Sequence, residues 1–392
     1  MPPTLVGADG FDHGVLSVNG GGVWAGLNTA ANISMEVIGG KTYLKVVESG
    51  STRTDANKSW LGGANLVVGA GYIYMTAAPS VTSRIFTIFS AVTGSLQFNV
   101  NTSGQIQCVV GNGSAQTGPT VTDSVRHRID YRYDISTTNH KVEWAVDGVA
   151  QTDATYTGAA TTVGASNAVS WGSNLTTHTA TCRYDDFVVS TTSGDYRIGV
   201  ADGYDDYEIL FRVPTGDGTH NGGTNNIEDN AGTDIVTPGY TTAWQLVDEW
   251  PPDFAAYIAQ LLSAAPANTE YAEVTFDDVT APAVWDVHGY VAYRSAGTNA
   301  NNGTTRVVLA DGTTVDDIHS GDMSVTGADS YADELLVRPS GGWTPTNFNG
   351  VKCRMGFSTD ANPDPYWDAV LLQVAVPVSA GGRTTKNTRA FP

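Results

Sequence analysis

The sequence predicts an all-β protein: two antiparallel β-sandwich, jelly-roll-like domains joined by a loop-rich connector that carries one short helix. Three observations predict it. Short apolar runs recur at intervals of roughly ten residues with Gly, Asn, Ser and Thr between them. The 392 residues include 44 glycines and 17 tyrosines, a balance that favours strands and turns. A helical period of apolar residues shows in one segment only, around residues 253–263.

The first domain is expected over residues 1–192. Leu66-Val67-Val68, Tyr72 to Met75, Arg84 to Phe89, Ser95 to Val100 and Gln105 to Val110 read as strands. Arg128 to Ile135 alternates with Ile129, Tyr131 and Tyr133 on one face. Lys141 to Val146 places Val142, Trp144 and Val146 on one face and Lys141, Glu143 and Ala145 on the other. It runs into Asp147-Gly148, a strong hairpin signal. Residues 193–268 read as the connector: Asp202 to Asp206 and Gly216 to Gly232 are rich in Gly, Asp and Asn, and a loop of that length is unusual inside a compact domain. Pro251-Pro252 ends an element there, Asp253 suits an N-cap, and Phe254, Tyr257, Ile258, Leu261 and Leu262 fall on one helical face. The second, smaller sandwich is expected over 269–378, with strands near Glu270 to Phe276, Val287 to Arg294, Thr305 to Leu309, Glu334 to Arg338, Val351 to Phe357 and Ala369 to Val376. The tail 379–392 carries Arg383, Lys386 and Arg389 without an acidic residue; it reads as a docking segment for another subunit, in a homo-oligomer or on a larger particle. No repeat of fixed period is present, which excludes a propeller or solenoid.

Composition removes several functions. The net charge is −20, from 20 Lys+Arg against 40 Asp+Glu, and no basic stripe interrupts it, so nucleic acid is not an expected partner. No apolar run approaches the length of a membrane-spanning helix. Met1-Pro2-Pro3-Thr4-Leu5 has neither the charge nor the apolar stretch of a secretory signal. Cys108, Cys182 and Cys353 are odd in number and far apart, so they suggest unpaired thiols in a reducing cytoplasm.

The search for chemistry names candidates and a plainer role for each. Glu143 and Asp147 share a strand face, as the carboxylate pair of a glycosidase would, but Asp147 belongs to the hairpin turn and Glu143 to a solvated face. Asp9, Asp12, Asp185 and Asp186 could gather oxygen ligands for Ca²⁺ if the first and last strands of the domain pair; solvated turns are the plainer role. His13, His127, His140, His178, His220, His288 and His319 form no HxH or HExxH group. Trp171, Trp285, Trp343 and Trp367 could stack on sugars, although large aromatics more often pack inside. No GxSxG, GxxxxGK[ST] or GxGxxG context is found. No catalytic residue, cofactor site or metal site is therefore assigned.

Several stretches together resemble a known group. They are Gly10-Phe11-Asp12-His13, Tyr184 to Val189, Gly194-Asp195-Tyr196-Arg197-Ile198, Val213-Pro214-Thr215-Gly216-Asp217-Gly218, and Trp244 to Asp253. Tyr184 to Val189 resembles the closing strand of a concanavalin A/laminin-G-like jelly roll. The order of the blocks is similar to that in structural proteins of tailed bacteriophages, and Ser330-Tyr331 to Trp343-Thr344 and Asn347 to Gly356 fit the second domain of that group. The chain departs from it in the Gly/Asn insertion after Gly218 and at Trp250. The resemblance implies a virion component without enzyme activity, made in the host bacterial cytoplasm and most often tail-associated. A capsid decoration protein or head fibre, a glycan-binding adhesin and a polysaccharide-degrading enzyme are the alternatives. The implied partners are other virion proteins, further copies of the chain, and a host-surface glycan.

Overall fold

In the computed structural model the described residues are 5–11, 26–39, 41–61, 64–89, 96–136, 138–157, 169–173, 175–192, 206–222, 226–236, 240–250, 252, 255–261, 269–295, 302–323, 330–357 and 364–378. The connector residues 193–205 and the tail 379–392 lie outside them, as does Asp12. Four antiparallel sheets account for nearly all regular structure. Contacts divide the chain into one unit built mainly on residues 24–209 and another on 210–377. No helix among the described residues is long and apolar enough to cross a membrane.

The first unit is two sheets face to face. The nine-stranded sheet runs in the order Val149–Ala150, Asn139–Val146, Arg126–Asp134, Leu66–Tyr74, Thr181–Ser190, Lys41–Val47, Ile33–Ile38, with Leu5–Asp9 on Thr181–Ser190 and Ala154–Thr157 on Asn139–Val146. The seven-stranded sheet runs Gln116–Thr120, Gln105–Val110, Leu96–Val100, Ser83–Ile88, Val169–Ser173, Thr54–Lys58, Gly26–Asn28. Strict alternation builds the core between them: Leu96, Phe98 and Val100 are buried while Gln97 and Asn99 are not, because successive strand residues point to opposite faces. Rings from both sheets meet there. Phe86 lies 5.1 Å from Phe187, Trp171 5.4 Å from Phe187 and Phe98 6.0 Å from Tyr131, ring centre to ring centre.

That aromatic filling needs a bare floor. Gly69 and Gly71 occupy inward positions between buried Val67 and Ile73. A Cβ at Gly71 would stand 2.5 Å from the Phe187 ring, closer than carbon atoms approach. The Asp147-Gly148 signal is realised as a turn with both residues at positive φ (52° and 77°), the geometry a two-residue hairpin requires.

The second unit has a six-stranded sheet ordered Ile227–Asp229, Ile258–Gln260, Pro365–Val378, Asp286–Ser295, Ser330–Leu335, with Asp206–Arg212 beside Pro365–Val378, and a five-stranded sheet ordered Pro214–Asp217, Tyr271–Phe276, Lys352–Gly356, Asn302–Val308, Thr314–Asp322. Its core includes Val274, Val291, Val307, Met355, Trp367 and Val370.

The helix expected at 253–263 is corrected. Ile258–Gln260 is a strand that pairs Ile258 with Trp367 and Ala259 with Tyr366; Asp253, Phe254 and residues 262–268 lie outside the described residues. The apolar spacing misled because Tyr257 leaves the core to stack on Tyr366, ring centres 4.5 Å apart, while Ile258 is fully buried. The α-helix among the described residues is Pro345–Phe348, opened by a capping box between Thr344 and Asn347.

Candidate functional site: the outward face of the seven-stranded sheet

The two outer faces of the first unit differ in chemistry. On the nine-stranded sheet, Val68, Ala70, Tyr72 and Val188 are buried. Tyr207 lies over Tyr72 with ring centres 5.6 Å apart and donates to the Asp186 carbonyl at 2.6 Å, and the Ile209 N–H donates to Asp186 Oδ1. That face is covered. The seven-stranded sheet turns Phe86, Phe98 and Trp171 inward, so Thr87, Gln97, Asn99 and Ser170 lie on the opposite face by alternation; there Gln97 and Asn99 are half-buried, and Thr87 and Ser170 are buried.

Register aligns these outward groups in two rows. One runs Gln97, Thr87, Ser170, Asn57 across four strands. The next places Arg84 against Asn99 and Asn99 against Gln107, and brings Asp55 against Asn28. Arg84 Nη2 donates to Gln97 Oε1 at 2.8 Å. Asp55, fully buried, is the hub of the far end: it accepts from Arg53 Nε at 2.6 Å, Asn28 Nδ2 at 3.0 Å, Ser170 Oγ at 3.2 Å and Asn57 Nδ2 at 3.3 Å. Those bonds fix the amides of Asn28 and Asn57. Thr87 Oγ1 is buried with no hydrogen-bond partner, and a buried hydroxyl of this kind costs free energy. An amide offers a donor and an acceptor side by side, so the face can bond groups that do both, such as neighbouring hydroxyls. Its rows escaped the sequence reading because each strand shows one or two amides and only the register joins them.

At one end of the sandwich the core turns polar. Glu48 follows Leu44 and Val46 on the inward side of its chain, accepts from the Ala180 N–H at 3.2 Å and leaves Oε1 unpartnered. Burial pushes its carboxyl up to about 8; the Ala180 N–H and the Arg84 charge oppose that rise and do not cancel it. His178 beside it accepts the Arg84 N–H at 3.0 Å and is pushed down to about 4 by burial and by Arg84.

The residues singled out from sequence lie elsewhere. Glu143 is tied to Lys141 (2.7 Å) and Arg132 (3.4 Å), and Asp147 accepts the Arg128 N–H in the turn. The oxygen atoms proposed for Ca²⁺ face cations of the protein: Arg126 Nη2 spans Asp185 (2.8 Å) and Asp186 (2.6 Å), and Lys58 meets Asp9 at 2.6 Å. A positive side chain thus stands where a bound cation would. Among the described residues no group of three or more His, Cys, Asp or Glu is arranged to hold a metal ion. Trp171 and Trp367 are fully buried and Trp285 and Trp343 nearly so. Each cysteine is free and buried, and burial raises all three thiols.

His127 is held between two carboxylates, Asp147 (2.7 Å to Nδ1) and Asp123 (2.9 Å to Nε2). Burial alone would lower its affinity for a proton, but the two carboxylates prevail and the net shift is upward. The stability this contributes is full below the unfolded value near 6.5 and is lost as pH rises through the folded value. An NMR titration of the ring should show a midpoint above 6.5, and Asp147→Asn should lower it.

No family model matches the chain, and no curated protein matches it. Solved structures do. A sialidase of Trypanosoma rangeli is 13% identical, with a TM-score of 0.33 over 42% of this chain and 28% of the sialidase. The cellulose-induced protein Cip1 and the carbohydrate esterase vb_24B_21 from the Shiga toxin-encoding bacteriophage phi24B are each 13% identical, with TM-scores of 0.35 over 47% of this chain and 97% of theirs. The chain spans 27% of the length of another sialidase structure that it matches. The expectation that the chain lacks catalytic activity is corrected here: the matched structures include sialidases and a carbohydrate esterase, enzymes by name.

Proposed function

We propose that the protein is a tail-associated component of a bacteriophage particle whose seven-stranded sheet recognises a host-surface glycan. The observation that carries the glycan reading is the in-register face of half-buried Gln97, Asn99, Asn57 and Arg84, with Ser170 buried between them. Amides fixed by their neighbours give paired donors and acceptors without the desolvation cost of a fully charged surface. The particle assignment is supported by the order of the connector blocks, from Val213-Pro214-Thr215-Gly216-Asp217-Gly218 to Trp244-Gln245-Leu246-Val247-Asp248-Glu249.

The test applies the full chain to an array of bacterial surface polysaccharides and measures affinity for any that bind. Wild-type protein should retain at least one glycan, and Gln97→Ala with Asn99→Ala should weaken it tenfold or more while thermal unfolding is unchanged. Release of shorter glycans into solution would make the same face an active site. Failure of the wild type to bind any polysaccharide, or equal binding by the double variant, would overturn the reading.

A further inference from the structure

The strand Ile33–Ile38 ends the nine-stranded sheet, and its strand partner among the described residues is Lys41–Val47 alone. An outermost strand offers unpaired N–H and C=O groups, which proteins guard with proline, charge, bulges or brevity. The other strands that end a sheet's main path carry such guards. Gln116–Thr120 contains Pro119 and a register break. Gly26–Asn28, Val149–Ala150 and Ile227–Asp229 are three residues or fewer. Pro214–Asp217 starts on proline, Ser330–Leu335 carries Asp333 and Glu334, and Thr314–Asp322 carries Asp316, Asp317 and Asp322 with two register breaks.

Ile33–Ile38 has no proline and no bulge, is not short, and carries a single charge that is paired within its own sheet. Its six residues keep unbroken register with Lys41–Val47. Its one charge, Glu36, is held by Lys45 at 3.2 Å and by Arg183. Ile33 and Met35 pair with Val46 and Leu44, both buried core residues, so Ile33, Met35 and Val37 continue the core side of the sheet. That apolar line runs out into solvent: Val37 is 69% exposed, the most of any large apolar side chain among the described residues.

We propose that this edge is the docking site for a second copy of the chain, which adds its own Ile33–Ile38 antiparallel so that the two nine-stranded sheets become one. The strand is self-complementary. A two-fold axis perpendicular to the sheet keeps each residue on its own face, so an axis through Met35 sets Met35 against its symmetry mate and Ile33 against Val37 of the other copy. Three apolar pairs then line the core side, and Ser34 meets Glu36 on the other. The contact is isologous and closes as a dimer. A six-residue strand pair buries far less than the roughly 1,200–2,000 Å² of a stable interface. It is therefore weak in dilute solution and strengthened where copies are held near one another.

Sedimentation velocity on the full chain, from roughly 10 μM to 1 mM, should show a monomer that becomes a dimer as concentration rises. Met35→Lys sets two ammonium groups face to face and should weaken the dimer tenfold or more; Val37→Lys serves if that variant melts early. Met35→Cys, treated with diamide (reduced to the hydrazide as two thiols form the disulfide), should cross-link as a covalent dimer. Val149→Cys, more exposed than Met35 and on another edge, should not, and the native thiols are buried. A wild-type monomer throughout the range, a dimer unaffected by both lysine variants, or Met35→Cys cross-linking no faster than Val149→Cys would each overturn the proposal.

Discussion

Arg126→Met should cost the first unit about 3–5 kcal/mol, the range for breaking a buried ion pair from one side. The guanidinium lies over the Tyr72 ring, 3.3 Å from its centre, and bonds two carboxylates whose side chains are both 0% exposed. Methionine keeps the contact with the ring and removes the charge. Asp185 and Asp186 are then left facing each other, with Lys41 3.9 Å from Asp185 as a distant cation. Urea unfolding should show a lower midpoint with an unchanged slope. Adding Asp185→Asn and Asp186→Asn to Arg126→Met should recover part of the loss, since the penalty is chiefly that of unpaired buried charge. A triple variant as unstable as the single one would show that shape, not charge, is at stake.

The second large effect is a reversal with pH at Glu48. Its folded-state value is raised to about 8 from 4.5, so the neutral acid is what the fold accepts. The associated stability is full below about pH 4.5 and is lost as pH rises through about 8. At pH 9 the wild type should be less stable than at pH 5 by about 3–6 kcal/mol from this group alone. Glu48→Gln retains an acceptor for the Ala180 N–H and cannot ionise. It should match the wild type at pH 5 and exceed it at pH 9, as read from thermal unfolding at both pH values. Identical pH dependence in the two proteins would place the proton elsewhere.

Much of the fold was legible because two-residue alternation is a local property. Leu96 to Val100, Gln105 to Val110 and Lys141 to Val146 carry their burial pattern in the order of their residues, and Asp147-Gly148 carries its turn in the need for positive φ. What stayed hidden depends on pairing across long separations. Asp185 and Asp186 look like solvated turn residues or metal ligands until Arg126, some 60 residues earlier in the chain, is brought to them. Glu48 looks like a surface carboxylate until the end of the sandwich closes on it. The outward amide rows exist only in the register of four strands. Tyr257 and Ile258 suggested a helix because three residues of a short strand and its flank can imitate one helical turn.

The glycine floor under the aromatic core has a consequence for how this sequence can change. Position 71 and position 187 share one volume, which Phe187 now fills to the backbone. Gly71→Ala taken first meets the ring at a distance no carbon pair sustains, so that route begins with a clash. Phe187→Leu taken first opens space, and Gly71→Ala then fills part of it. The same two substitutions are thus harmful in one order and tolerable in the other. A double-mutant cycle should show Gly71→Ala changing sign with the residue at 187, and the descendants of this chain can reach a larger residue at 71 only by way of a smaller one at 187.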